Sequence, residues 1–350
     1  MKSKKLYIHI GMPKTGSSAI QAFLNLNYKW LLTQGMSYPD GHSEFKQAFQ
    51  TSCGNAIRLK VWIQNNDHQA FNEFLEKSDT NKIILSSEIL FHVMKKNPQN
   101  FAFFFKDYDI KVICYIRKLD DLIESALKQL VKNHLYINSE NFLQIANSHQ
   151  YFSCLLELSK YLSKDQLLIK KYSPNDFVGG SIYSDFINAI DILNPNLEDP
   201  MIQWPEKTVN PSLGPVSFEF RRIMNILEVD LNMLQFKLRL NSAIAHYAVE
   251  VEKKAKLKLI DTKSANEIFE KFSKIENMFL SNFGDHLCFK KNHKNYIPNH
   301  KNLSKSDVNS VLNYISNKNQ KTYDLLVERI KSSKKHNPMT KSIFKSILSK

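Results

Sequence analysis

Apolar residues fall in short, dense blocks through the first half of this chain, and each block hands over to a turn and then to a helical period. Leu6-Tyr7-Ile8-His9-Ile10 is the first, a β-branched and aromatic run interrupted only by His9. A glycine-bounded turn follows, Gly11-Met12-Pro13-Lys14-Thr15-Gly16, and the spacing of Ser17 to Leu32 then predicts a helix. Residues 40 to 80 read as mostly helical and polar, with Phe45, Phe49, Ile57, Val61, Phe71, Phe74 and Leu75 directed inward. Ile83–Leu85, Ile110–Ile116 and Gln166–Lys170 are further strand-like runs. The first of these ends at Ser86-Ser87-Glu88, where a helix is expected to start. Phe103-Phe104-Phe105 reads as core, and Asn141 to Leu158 as a helix. This alternation predicts an α/β fold, a parallel sheet flanked by helices, with ligands at the carboxyl ends of the strands.

The pattern changes in the second half. Ser181 to Leu193 is amphipathic through Ile182, Phe186, Ile187 and Ile190, and Pro195 and Pro200 then break the chain. Phe218 to Leu227 is helical in period. From Asn241 onward helix predominates, with a turn or short strand near Cys288-Phe289. The expected division is an α/β core over 1–240, a helical extension packed on it over 241–330, and a basic tail over 331–350. That tail has six lysines and no acidic residue. Met339, Ile343, Phe344, Ile347 and Leu348 give it one apolar face, suited either to an anionic membrane surface or to packing on the domain.

Two of the strand ends carry chemistry. A strand running into Gly11–Gly16 and then a helix is the grammar of a phosphate-binding loop, in which backbone N–H groups and the helix N-terminus face an anion. The nucleotide-triphosphatase pattern places lysine directly after the last glycine. Here Ser17 and Ser18 follow Gly16, and the cation, Lys14, stands two residues before it. That placement argues against standard ATP or GTP hydrolysis. Ile110–Ile116 delivers Arg117, and Ser125 stands eight positions later on the helix that follows. A guanidinium fork matches phosphate oxygens, and a hydroxyl one to two turns along the helix can donate beside it.

Gly11 to Ser18 resembles the 5′-phosphosulfate-binding loop of sulfotransferases that use 3′-phosphoadenosine-5′-phosphosulfate (PAPS). Arg117 and Ser125 resemble that family's strand-end arginine and helix serine, which bind the 3′-phosphate. Further stretches are similar to a bacterial subgroup associated with cell-surface polysaccharides: Gly35-Met36-Ser37-Tyr38-Pro39, Lys82 to Glu88, Glu124 to Gln129, Asn210-Pro211-Ser212-Leu213-Gly214, and Arg221 to Asn225. The resemblance covers residues 6 to 230, is weaker to 290, and leaves the last stretch of the chain unmatched.

What the resemblance implies is a sulfotransferase with PAPS as donor, no metal, and a glycan, glycan precursor or small molecule as acceptor. Lys14 would stabilise the bridging oxygen and the leaving phosphate. Gly11, Pro13, Thr15, Gly16, Ser17 and Ser18 would form the 5′-phosphate site, with the hydroxyls of Ser17 and Ser18 as donors. Lys170 and Tyr172 would flank the nucleotide or substrate, and Asn210 and Ser212 enter through the resemblance alone. For the base, Glu88 follows a strand that should open onto the same sheet edge as Lys14 and Arg117. His42, in a loop after Tyr38-Pro39, is the competitor, because imidazole needs little tuning near neutral pH. His9 reads as core or as support for the loop. Arg221 and Arg222 are either acceptor contacts or a solvated helix face.

Composition narrows the alternatives. The 350 residues include 43% hydrophobic and 23% charged, as in an ordinary globular protein. Net charge is +14, from 48 Lys and Arg against 34 Asp and Glu. The basic residues scatter without an aromatic-interleaved stripe or a nucleic-acid motif, so no specific nucleic-acid partner is expected. Cys53, Cys114, Cys154 and Cys288 have no metal-like spacing and suit a reducing compartment. With no signal segment and no long apolar span, a cytoplasmic location is expected, at most touching the inner face of the membrane. The competing classes are a non-catalytic adenosine-bisphosphate-binding protein and a P-loop nucleotide kinase.

Overall fold

A computed structural model of the chain describes residues 4–40, 54–78, 80–133, 151–192, 195–205, 212–253, 255–289, 298–299 and 302–348. The chain divides into two compact units, each assembled from separated stretches. One comprises Met1–Lys118, His149–Asn210 and Lys271–Lys291; the other comprises Leu119–Ser148, Pro211–Glu270 and Asn292–Lys350. This division cuts across the sequence boundaries at 240 and 330.

The first unit is built on five strands, β1 (Lys5–Ile10), β2 (Met36–Ser37), β3 (Lys82–Ser87), β4 (Asp109–Ile116) and β5 (Leu167–Lys171). They lie in the order β2-β3-β1-β4-β5, and every pairing is parallel. Its helices include α1 (Ser17–Leu26), α2 (Tyr28–Thr33), α3 (Leu59–Asn65), α4 (His68–Glu76), α5 (Ile89–Lys96) and α6 (Pro98–Phe104). The expected α/β architecture is therefore present. Because β1 has β3 on one side and β4 on the other, the chain reverses its direction of travel across the sheet there. The carboxyl end of β1 is thus a switch point, the place where such sheets open a crevice.

Strands buried on both faces account for the dense apolar runs: β1 and β4 bury nearly every side chain. On one face Tyr7, Ile84, Ile113 and Tyr115 pack against Ile20, Phe23 and Leu24 of α1, against Phe186 and Ile187 of the helix Ile182–Ala189, and against Ile190 just after it. α5 packs against β1 and β3. Phe71, Phe74 and Leu75 are buried as expected, but Ile57 and Val61 are exposed. The helical period around them is interrupted, since α3 begins only at Leu59. Phe104 and Phe105 are core, whereas Phe103 is exposed with Lys106 Nζ over its ring. The helix predicted over Ser17–Leu32 breaks at Asn27, whose side chain bonds the carbonyls of Phe23 and Gln203 and the N–H of Gln203. Phe45, Phe49, Cys53 and residues 141–150 lie outside the described residues.

The second unit is helical. It contains α7 (Leu119–Lys132), then Pro215–Ile226, Leu234–Glu250, Lys305–Lys318, Gln320–Ser332, Pro338–Ile343 and Lys345–Leu348. The boundary at Lys271 falls inside the helix Thr262–Phe283. One apolar cluster joins Val131, Phe220, Met224, Leu240, Ile315 and Ile330. The tail belongs to it: Phe344 is fully buried there, with Ile343 and Ile347 beside it. The tail's apolar face is thus turned into the unit's own core, leaving only Met339 and Leu348 of the five residues exposed. Among the described residues no helix is long and apolar enough to cross a membrane.

Candidate functional site

The Gly11–Ser18 loop leaves β1 at the switch point. The Gly11 N–H donates to Ser87 O at 3.1 Å, extending the β1–β3 ladder by one residue. The loop then closes on itself through side chains, with the Thr15 hydroxyl donating to Met12 O at 2.7 Å and the Ser17 hydroxyl reaching the same oxygen at 3.4 Å. Gly16 caps α1 in a left-handed conformation without a side-chain cap, and the helix has no acidic residue in its first turn. Among the described residues, none of the loop's backbone-to-backbone bonds uses the N–H of Thr15, Gly16, Ser17 or Ser18. An uncapped helix start with unused donors offers partial positive charge that an anion can complement.

Charged groups converge on it. Burial pulls the Lys14 ammonium below its ordinary pKa, opposed by Glu88 and reinforced by Arg117. Burial raises the Glu88 carboxyl, opposed by Lys14 and by a hydrogen bond from Ser18. Lys14 and Glu88 are therefore electrostatically coupled, each favouring the other's charged form. Arg117, at the end of β4, donates from Nη1 to Lys14 O at 2.8 Å. Tyr172, just after β5, stacks under that guanidinium at 5.3 Å. Four sequence candidates from four strand ends thus meet within the first unit: Lys14, Glu88, Arg117 and Tyr172.

Other candidates have surroundings of their own. The Lys170 ammonium is 3.1 Å from Asp185, a buried carboxylate that also accepts from Tyr115 and from the Val178 N–H. It faces the helix Ile182–Ala189, on which Asp185 stands. The Ser17 hydroxyl turns back to Met12 O, and that of Ser18 goes to Glu88, so neither is the free donor expected. Ser125 is half-buried on α7 and Ser212 is exposed; both belong to the second unit. There too, Arg221 is fully buried against Asp230 at 2.7 Å, and Arg222 pairs with Glu219, so neither arginine reaches out for an acceptor. Glu124 of α7 is taken by Lys258 and the Leu259 N–H. His42 and Asn210 lie outside the described residues.

Sequence reasoning missed the support beneath the loop. β2 pairs only with Lys82 and Ile83, so among the described residues no strand pairs with the carboxyl half of β3 on that side. The Asn55 side chain supplies one: its Nδ2 donates to Ile84 O and its Oδ1 accepts from Ser86 N, both at 2.9 Å. His9 Nδ1 and Ser86 Oγ are 2.9 Å apart, and Gln21 Nε2 donates weakly to the same hydroxyl at 3.4 Å. Burial alone holds His9 down to about 3, so it is neutral and structural, as expected of a core residue. Among the described residues no group of three or more His, Cys, Asp or Glu is arranged to hold a metal.

Comparison with known proteins adds little. No family model matches the chain, and no solved structure does. A stretch of 143 residues, 41% of this chain, is 27% identical to an uncharacterized protein of Archaeoglobus fulgidus. The matched region spans 38% of that protein's length.

Proposed function

We propose that this chain transfers a sulfonyl group from PAPS to a hydroxyl or amine, with a bacterial glycan or glycan precursor as the acceptor class. The observation that carries the reading is the loop after β1. It joins an uncapped helix start to Lys14 and Glu88, while Arg117 bonds the Lys14 carbonyl. In this reading the N–H groups of Thr15 to Ser18 hold the 5′-phosphate, and Lys14 stabilises the charge on the bridging oxygen as its bond to sulfur breaks. The acceptor oxygen or nitrogen forms the new bond to sulfur and gives its proton to Glu88. A carboxyl raised by burial is suited to that task, because it holds a proton more firmly than an exposed one. Arg117 takes the 3′-phosphate, and the sequence resemblance assigns Ser125 to the same group. The reaction would take place in the cytoplasm, before the acceptor is exported.

A phosphate loop alone fits many nucleotide proteins, but this one lacks the lysine after Gly16 that a triphosphatase needs and has a strand-end arginine beside it. Calorimetric titration with adenosine 3′,5′-bisphosphate, 5′-AMP and ATP tests it. Clear preference for the bisphosphate is expected, followed by turnover of PAPS with a glycan acceptor. Equal binding of bisphosphate and 5′-AMP would overturn the assignment. Preference without turnover on any acceptor would leave a binding protein instead of an enzyme.

A further inference from the structure

Arg117 is held at every part. Its carbonyl accepts the Tyr151 hydroxyl at 2.7 Å, its Nη1 donates to Lys14 O at 2.8 Å, and its guanidinium carbon lies 5.3 Å from the centre of the Tyr172 ring. The edge of that ring closes on the loop. A Cβ placed on Gly16 would come within 2.7 Å of Tyr172 Cε2, so only glycine lets the ring approach this far. Tyr172 is itself fixed to the sheet, its N–H donating to Ile116 O at 2.6 Å.

The loop has reason to need a brace. Gly16 has φ of 83°, and Lys14 has φ of 67° in the left-handed region that non-glycine residues rarely occupy. Such a conformation persists only where the surroundings dictate it. Thr15 and Ser17 tie the loop from within, both on Met12 O. Arg117 ties it from outside, on the carbonyl of the left-handed residue itself.

We propose that Arg117 and Tyr172 form a clamp holding the Gly11–Ser18 loop in its anion-receiving shape, so that both are positioning residues for the group bound at the loop. The guanidinium offers five N–H donors in a rigid fork, and the one directed at Lys14 O leaves others for a phosphate. Arg117 then does two things at once, and recognition at the loop depends on a residue assigned to a different phosphate. For its ligand the inference rests on the PAPS reading; for the loop's shape it does not.

The test combines two readouts on wild type, Arg117→Ala, Tyr172→Ala and Tyr172→Phe. One is titration with 5′-AMP and with adenosine 3′,5′-bisphosphate; the other is hydrogen exchange, in the ligand-free proteins, of the Ala19 and Ile20 amides, which donate to Gly16 O at 2.9 and 3.1 Å. Arg117→Ala is expected to weaken 5′-AMP as well as the bisphosphate, each ~10-fold or more. Tyr172→Ala should do the same while removing no charge, and Tyr172→Phe, which keeps the ring, should bind like wild type. These two amides should exchange faster in both alanine variants. Should Arg117→Ala fail to fold, the contrast between Tyr172→Ala and Tyr172→Phe carries the test. Unchanged 5′-AMP affinity and unchanged loop exchange in both alanine variants would overturn the clamp and leave the donor assignment standing. If wild type binds neither nucleotide, the donor assignment falls, and hydrogen exchange alone decides the clamp.

Discussion

His9 is fully buried two residues before the Gly11–Ser18 loop, where it shares the Ser86 hydroxyl with Gln21, and among the described residues its Nε2 has no hydrogen-bond partner. Burial lowers its pKa to about 3, against about 6.5 for an unfolded histidine. Between those values the unfolded chain binds a proton that the native chain refuses. Stability is therefore complete above about pH 6.5 and is lost as pH falls toward the folded value, by up to about 1.4 kcal/mol per pH unit. Urea unfolding of wild type and His9→Gln across that window should show the variant gaining on wild type by about that slope. A difference independent of pH would mean that the imidazole is not held neutral. The same physics acts with the opposite sign at Glu88, where burial favours the protonated, uncharged form.

At the scale of elements, the carboxyl end of β3 decides where Glu88 stands. β2 is too short to cover it, and residues 54–56 take over, with Asn55 completing the ladder and Ala56 N–H donating to Ser86 O at 3.3 Å. The approach is possible because Gly54 has φ of 77° and no side chain; a Cβ there would fall 1.8 Å from Ser86 O. Gly54→Ala should therefore cost at least about 2 kcal/mol in chemical denaturation, combining backbone strain with a displaced segment. A change within about 0.5 kcal/mol would show that β3 does not need this cover. Nothing in the sequence pattern announces the arrangement. Asn55 reads as one polar residue in a polar stretch, and its role exists only because β3 is left uncovered there.

At the scale of the molecule, each unit has its own core, and the chain's last apolar residues are part of the second. Phe344 is completely buried in the cluster that joins Val131, Met224 and Ile330. Phe344→Ala should lower stability by about 3 kcal/mol, read as a shift in the denaturation midpoint, because a large buried ring leaves a cavity the neighbours only partly fill. No shift would mean that the tail is peripheral, and its apolar face would again be available to a lipid surface. Lys5 and Lys111 are paired with Asp191, Lys170 with Asp185 and Lys171 with Asp176, all within the first unit.

The sequence by itself determined the alternation of strand and helix, the identity of four of the strands, and the glycine-bounded turn after β1. These are local properties: apolar period, turn chemistry and the residues beside a strand end act within a few positions of one another. Only the tertiary structure decided which charges meet. Arg117 reaches the carbonyl of a residue 103 positions away, Tyr172 reaches Gly16 from the far side of β4, and Lys170 is claimed by Asp185. Each strand end offers several polar side chains, and local pattern ranks them equally. Sheet order and helix packing then set which of them face the crevice, and the cost of burying an unpaired charge settles the partners of the rest.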